Sequence, residues 1–128
     1  MADWIWVATD VALASHREQL AERRGGEGVR DERLLDSAMA RAPHLAAYGE
    51  PDAAALAATH AYGIARNHPF VDGNTRTAAV VSQTFLVLNG YVLKATDAEI
   101  VVAVLTLAAG DLTEDELADW FRTRLVKP

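Results

Sequence analysis

The sequence predicts an all-α protein, a bundle of about six helices around a central buried helix. Three observations predict it. Helical stretches alternate with short breaks about six times over 128 residues, a length that suits one domain, residues 1–128, and buries a core without staples. Hydrophobic residues make up 51% of the chain and aromatics only 7%, with abundant alanine, so closely packed helices are favoured. Thr96-x-x-Glu99 and Thr113-x-x-Glu116 are both capping boxes, a sequence mark of helix starts.

Each element has its own reason. Trp4-Ile5-Trp6-Val7 reads as a short extended piece. The first helix starts at Thr9 or Asp10 and ends by Arg24, where Gly25-Gly26-Glu27-Gly28 breaks it. The second covers Asp31 to Ala40 and stops before Pro43, because proline has no N–H and clashes with the preceding turn. Pro43 to Pro51 reads as an irregular loop. The third helix starts at Asp52, whose side chain can cap it, and runs to about Arg66. The fourth begins near Asn74 and stops at Asn89-Gly90. Ala78, Ala79, Val80, Val81, Phe85, Leu86, Val87 and Leu88 make it apolar nearly all round, as expected of a helix in the middle of a bundle. Tyr91-Val92-Leu93 is a second short extended piece. The two capping boxes open a fifth helix through about Ala109 and a last one to about Leu125.

Composition excludes several function classes. With no cysteine there are no disulfides and no thiolate metal sites. No charged and apolar leader pattern follows Met1, and apolar runs such as Ile100 to Ala109 fall far short of a membrane span. A cytoplasmic protein that does not engage membranes is expected. The net charge of −6 argues against nucleic-acid binding, where a basic face is usual. It still allows a nucleotide, since a local cluster of donors can oppose the global sign.

The stretch His68-Pro69-Phe70-Val71-Asp72-Gly73-Asn74-Thr75-Arg76-Thr77 places a histidine, a carboxylate, a Gly-Asn turn and an arginine directly ahead of the apolar fourth helix. Helix N-termini attract anions through unpaired N–H groups and the helix dipole. Gly73 lets the backbone bend and approach a ligand, Asn74 offers amide donors, and Arg76 offers a fork suited to phosphate oxygens. Asp72 beside such a cradle would repel phosphate unless a cation lies between them. Magnesium fits, since it takes one or two carboxylates together with phosphate oxygens. His68 could accept the proton of an attacking hydroxyl. Phe70 reads as the buried anchor of the loop. Taken singly, an Asp-Gly-Asn is usually a turn and a lone arginine a surface ion pair; the joint arrangement is what points to chemistry.

Residues His68 to Thr77 resemble the signature of the Fic/Doc superfamily. Its Fic branch reads His-x-Phe-x-Asp/Glu-Gly-Asn-Gly-Arg-x-x-Arg. Its Doc branch carries lysine after the asparagine, then Arg-Thr-Ala, without the final arginine. Here Arg76-Thr77-Ala78 follows, and Ala79 stands where Fic enzymes carry the second arginine, so the chain is more similar to the Doc branch, the toxins of Phd–Doc toxin–antitoxin modules. Gly28-Val29-Arg30-Asp31-Glu32-x-Leu34-Leu35-Asp36-Ser37-Ala38 also resembles the Doc N-terminal pattern.

The resemblance implies ATP in the cradle and transfer of its terminal phosphate to a threonine of elongation factor Tu, which blocks translation. It implies His68 as general base, Asp72 as the magnesium ligand, and Arg66, Gly73, Asn74, Thr75 and Arg76 as phosphate contacts, with His68, Asp72 and Arg76 as the catalytic set. It also implies a Phd-type antitoxin whose tail folds as a helix into a surface groove. No Ser/Thr-x-x-x-Glu-Gly/Asn inhibitory motif of the kind some Fic proteins carry occurs in the chain, so control in trans is expected. Two other readings stay open: Fic-type AMP transfer to a protein hydroxyl, against which Ala79 counts, and a catalytically weak protein that binds nucleotide and antitoxin. Thr75 is what keeps the last one open. Loss of a lysine contact to phosphate costs roughly 1.5–3 kcal/mol, which lowers turnover roughly ten- to hundredfold.

The remaining polar and aromatic residues have plainer readings. His60 is a packing or hydrogen-bonding residue, and His16 and His44 have no partner spacing that suggests a metal. Trp4, Trp6 and Trp120 belong to core or terminal packing. Arg23-Arg24 and Arg122-x-Arg124 are helix-end charges facing solvent. Tyr48 and its neighbours are candidates for a flap that aligns a target peptide, as in Fic-like proteins.

Overall fold

A computed structural model describes residues 3–23 and 28–128. Six helices follow in order: α1 (Thr9–Arg23), α2 (Glu32–Tyr48), α3 (Ala53–Asn67), α4 (Asn74–Leu88), α5 (Asp97–Ala108) and α6 (Glu114–Arg122). Two two-residue strands complete it, β1 (Val92–Leu93) and β2 (Leu125–Val126). The all-α expectation therefore holds. The Gly25-Gly26-Glu27 break and the Arg23-Arg24 side chains lie outside the described residues.

The helix starts are built as the capping pattern dictates. Asp52 accepts from the Ala55 N–H at the head of α3. Both Thr-x-x-Glu boxes close reciprocally, Thr96 with Glu99 on α5 and Thr113 with Glu116 on α6. Asp31 caps α2 by accepting from the Arg33 N–H.

Two boundaries differ from expectation. Helix α2 does not stop before Pro43 but continues to Tyr48, with Pro43 inside it. Leu35, Ala38, Met39 and Ala42 form a buried stripe on α2, and Ala46 packs against the core one turn further on. Packing of that stripe outweighs the single N–H that proline withholds, a cost of roughly 3 kcal/mol. The expected loop from Pro43 to Pro51 is thus mostly helix, and Tyr48 ends a helix rather than riding a flap. The last helix is shorter than expected: α6 stops at Arg122, and Leu125–Val126 pairs antiparallel with Val92–Leu93. Trp4 to Val7 is not a strand; Ile5 bonds instead to the side chain of Asn89 through both its N–H and its carbonyl.

Helix α4 packs against α1, α3, α5 and β1, which puts it inside the bundle as its sequence predicts. Its last turn emerges, with Val87 and Leu88 exposed. Helix α3 is the more deeply buried of the two, packed against α2, α4, α5 and α6, with only Ala55, Tyr62, Arg66 and Asn67 escaping burial. Its alanines and Gly63 allow this approach: a Cβ on Gly63 would lie 3.0 Å from the Ala38 carbonyl oxygen of α2. The buried side chains form one cluster whose large members include Phe70, Phe85, Phe121, Leu35 and Leu56. Among the described residues no helix is long and apolar enough to cross a membrane.

Candidate functional site

The His68–Thr77 stretch joins the C-terminus of α3 to the N-terminus of α4 and lies on the surface of the buried α3–α4 pair. His68 itself ends α3. It adopts a left-handed conformation (φ 48°, ψ 56°) and its N–H donates to the Ile64 carbonyl. Among the described residues it is the one non-glycine with positive φ. Such a conformation is uncommon for a residue other than glycine and is held by its surroundings. Arg30 supplies that hold: its Nε donates to the His68 carbonyl at 2.8 Å and its guanidinium to the Asn67 carbonyl at 2.9 Å. The His68 side chain is left exposed to solvent.

The loop is then folded down on Phe70, which is 1% exposed. Asn74 closes it from the other side. Its amide oxygen accepts from the Phe70 N–H and its Nδ2 donates to the Phe70 carbonyl, each at 3.0 Å. Sequence reading makes Asn74 a phosphate contact through its amide. The structure employs the amide oxygen and one of the two Nδ2 hydrogens on the loop, leaving the second Nδ2 hydrogen and the main-chain N–H of Asn74 as open donors.

The Gly28–Asp31 segment buttresses the other edge of the loop. Val29 and Phe70 form an isolated antiparallel bridge. Arg30 and Asp31 N–H groups donate to the Pro69 carbonyl at 2.7 and 3.2 Å, and Val71 N–H donates to the Gly28 carbonyl. This contact joins the start of the Gly28–Ala38 segment to the His68–Thr77 loop. Neither Arg30 nor His16, which lies against Phe70 and Asp72, carries a spacing signal that would place it here. Both are brought in by tertiary contacts.

Gly73 caps α4 with φ 77°, a left-handed conformation that favours glycine, and contributes no side-chain cap. The first helical bond is Thr77 N–H to the Gly73 carbonyl. The N–H groups of Asn74, Thr75 and Arg76 thus belong to the open first turn, and no side chain among the described residues covers them. An open first turn of this kind can receive an anion. Arg76 stands on that turn, half-buried, with no ion pair among the described residues. Thr75 is beside it, also half-buried.

Asp72 is exposed, and one carboxylate oxygen accepts from the Gly73 N–H at 2.7 Å. The other oxygen has no donor among the described residues, so it is free to take a cation. Arg66 sits in the last turn of α3, exposed, with its guanidinium 5.7 Å from the centre of the Tyr62 ring. The structure therefore brings His68, Asp72, Gly73, Thr75 and Arg76 onto one loop and helix end, with Arg66 adjoining through α3. Among the described residues no three His, Asp or Glu side chains converge as a metal cluster.

The other residues follow their plainer readings with some additions. His60 is buried between Phe85 and Trp6, with ring centroids 5.2 and 6.2 Å away. Trp4 and Trp6 pack on Phe85. Arg122 and Arg124 do more than face solvent. Arg122 holds Asp52 with two bonds of 2.7 and 3.0 Å and also pairs with Asp119, while Arg124 lies over the Trp120 ring.

Two likenesses to known proteins accompany this geometry. A family model described as the Fic/DOC family matches residues 6–86, which contain α1 to α3, the whole loop and most of α4. Toxin Doc of Mycolicibacterium smegmatis (strain ATCC 700084 / mc(2)155) is 48% identical to this chain over 75 residues, 56% of this chain and 57% of that protein. The match thus spans a little over half of that relative's length.

Proposed function

We propose, from the premise that this chain belongs to the Fic/DOC family, that it is the toxin of a toxin–antitoxin module. In this reading it transfers the terminal phosphate of ATP to a threonine of elongation factor Tu and so blocks translation. The observation that carries the reading is the first turn of α4, which has no side-chain cap, carries Arg76 and follows His68 and Asp72 on the loop. The 48% identity to Toxin Doc supports the toxin assignment.

Each residue then has a role that its chemistry suits. The main-chain N–H groups of Asn74, Thr75 and Arg76 and the Arg76 guanidinium receive phosphate oxygens, with Arg66 adding charge from α3 and Gly73 permitting the close approach. The free oxygen of Asp72 would hold magnesium, which would supply charge neutralisation for the phosphate oxygens. His68, exposed at the end of α3, accepts the proton of the target hydroxyl. The hydroxyl oxygen forms the new bond to phosphorus, the bond to ADP breaks, and the proton leaves on His68. An antitoxin of Phd type, folding a helical tail into a surface groove, supplies control.

Thr75 modifies this reading, because a Doc-type lysine would stand there. Its N–H remains in the cradle but the ammonium is absent, so binding suffers less than turnover. AMP transfer is the rival chemistry. Ala79, where a Fic enzyme places its second arginine, is buried on α4 and offers no charge, which favours the kinase.

The test is label transfer to purified elongation factor Tu with magnesium, from ATP labelled in parallel at the gamma or the alpha phosphate. Gamma label on the target is the expected result. Alpha label would replace the kinase with AMP transfer. No label from either, with activity restored by Thr75→Lys, would identify a form disabled at the cradle.

A further inference from the structure

His16, on α1, is 3% exposed and far in sequence from the motif. Its ring is stacked on Phe70, with centroids 3.8 Å apart and planes 9° from parallel. Its Nε2 is 2.7 Å from the main-chain carbonyl of Asp72. A carbonyl only accepts, so Nε2 carries the hydrogen and donates. We propose that His16 is a positioning residue for this site, holding the Asp72–Gly73 peptide plane so that the carboxylate and the head of α4 keep their working orientation.

The physical argument runs through one rigid unit. A trans peptide is planar, and its carbonyl and N–H point in opposite directions. His16 fixes the carbonyl end of the Asp72–Gly73 unit. Gly73 N–H at the other end donates to the Asp72 carboxylate at 2.7 Å. Turning this plane would break both bonds at once. It would also take Gly73 out of the left-handed conformation, φ 77°, from which α4 starts. The His16 ring lies against Gly73 as well, 3.6 Å from where a Cβ would be. A packing residue could fill the same space on Phe70, but a hydrocarbon ring would leave the Asp72 carbonyl without its donor.

The activity arm of this inference rests on the phosphate-transfer reading above, but its structural arm does not. Substitution of His16→Phe keeps an aromatic ring on Phe70 and removes the donor. His16→Gln and His16→Met have nearly the same length, and only the first can donate. Two readouts are taken for each variant: hydrogen exchange of the Gly73 amide by NMR, and affinity for ATP–magnesium by calorimetry. The expected result is that the Phe and Met variants retain helical content, lose Gly73 amide protection by at least tenfold and bind ATP–magnesium at least tenfold more weakly, while the Gln variant recovers most of both. Unchanged Gly73 exchange in Phe and Met variants would overturn the inference and leave His16 as packing. If the Phe variant does not fold, the Gln–Met pair decides alone, and equal behaviour of that pair overturns the inference. A wild-type protein that binds no ATP–magnesium would remove the nucleotide reading, while the Gly73 exchange still decides the role of His16.

Discussion

Both ring nitrogens of His60 lie buried without a hydrogen-bond partner among the described residues, packed on Phe85 and Trp6. Burial disfavours the charged ring and pushes its pKa down from 6.5 to about 4. The unfolded chain therefore binds this proton more readily than the folded one. The resulting stability is complete above pH 6.5 and is lost as pH falls towards 4, an effect on the order of 3 kcal/mol across that window. Urea unfolding of the wild type at pH 7.5 and pH 4 measures it, and His60→Leu is expected to flatten the difference; an equal difference in that variant would assign the acid sensitivity elsewhere. At the site, His68→Ala is expected to abolish transfer while far-UV circular dichroism stays unchanged, because the His68 side chain is exposed. Retained transfer in that variant would remove His68 from the base role. Thr75→Lys restores an ammonium beside the open N–H groups of α4 and is expected to raise turnover roughly ten- to hundredfold, from a contact worth roughly 1.5–3 kcal/mol. Steady-state label transfer compares the two forms.

Between elements, the α2–α3 contact is the tightest test of packing. Gly63→Ala gains roughly 1 kcal/mol of helix propensity in principle. The new methyl meets main-chain atoms of Ala38 at 3.0 and 3.2 Å, and neither helix backbone can yield as a flexible side chain would. Net destabilisation is expected, read as a lower thermal midpoint; a midpoint at or above wild type would mean that α2 shifts freely. The same contact explains what the sequence withheld about α2. A proline signals a stop by local rules, and Pro43 sits inside a helix only because the stripe from Leu35 to Ala42 is docked. Local signals sufficed where the element is specified locally: Asp52, Thr96 and Thr113 each cap the helix that their spacing announces. The candidate site loop was legible for the same reason, since His68, Asp72, Gly73 and Arg76 are contiguous with a helix start. The supports of that loop were not. Arg30 is 38 residues from His68 and His16 is 56 from Asp72, distances over which no periodicity operates. Asn74 was legible as a polar residue of the turn, but its bonds to Phe70 depend on the loop's closed path.

Across the molecule, both described ends of the chain are fastened near the same helix. At the N-terminal end Trp4 and Trp6 pack on Phe85 of α4, and Ile5 bonds to Asn89 at that helix's end. At the C-terminal end β2 pairs with β1, which directly follows α4 and packs on it. Arg122 ties α6 back to the head of α3 through Asp52, whose carboxyl is held below the usual range chiefly by the Arg122 hydrogen bonds. The site loop thus joins two helices that bind the rest of the bundle together, so it cannot loosen without disturbing the core beneath Phe70. A single cooperative unfolding transition follows from this wiring. Tryptophan emission reports from the Trp4–Trp6–Phe85 cluster and from Trp120 on α6, while far-UV circular dichroism reports on all six helices. The two midpoints in urea are expected to coincide. An earlier tryptophan transition would mean that the terminal segments detach while the bundle, and with it the buried His16–Phe70 stack under the site, stays folded.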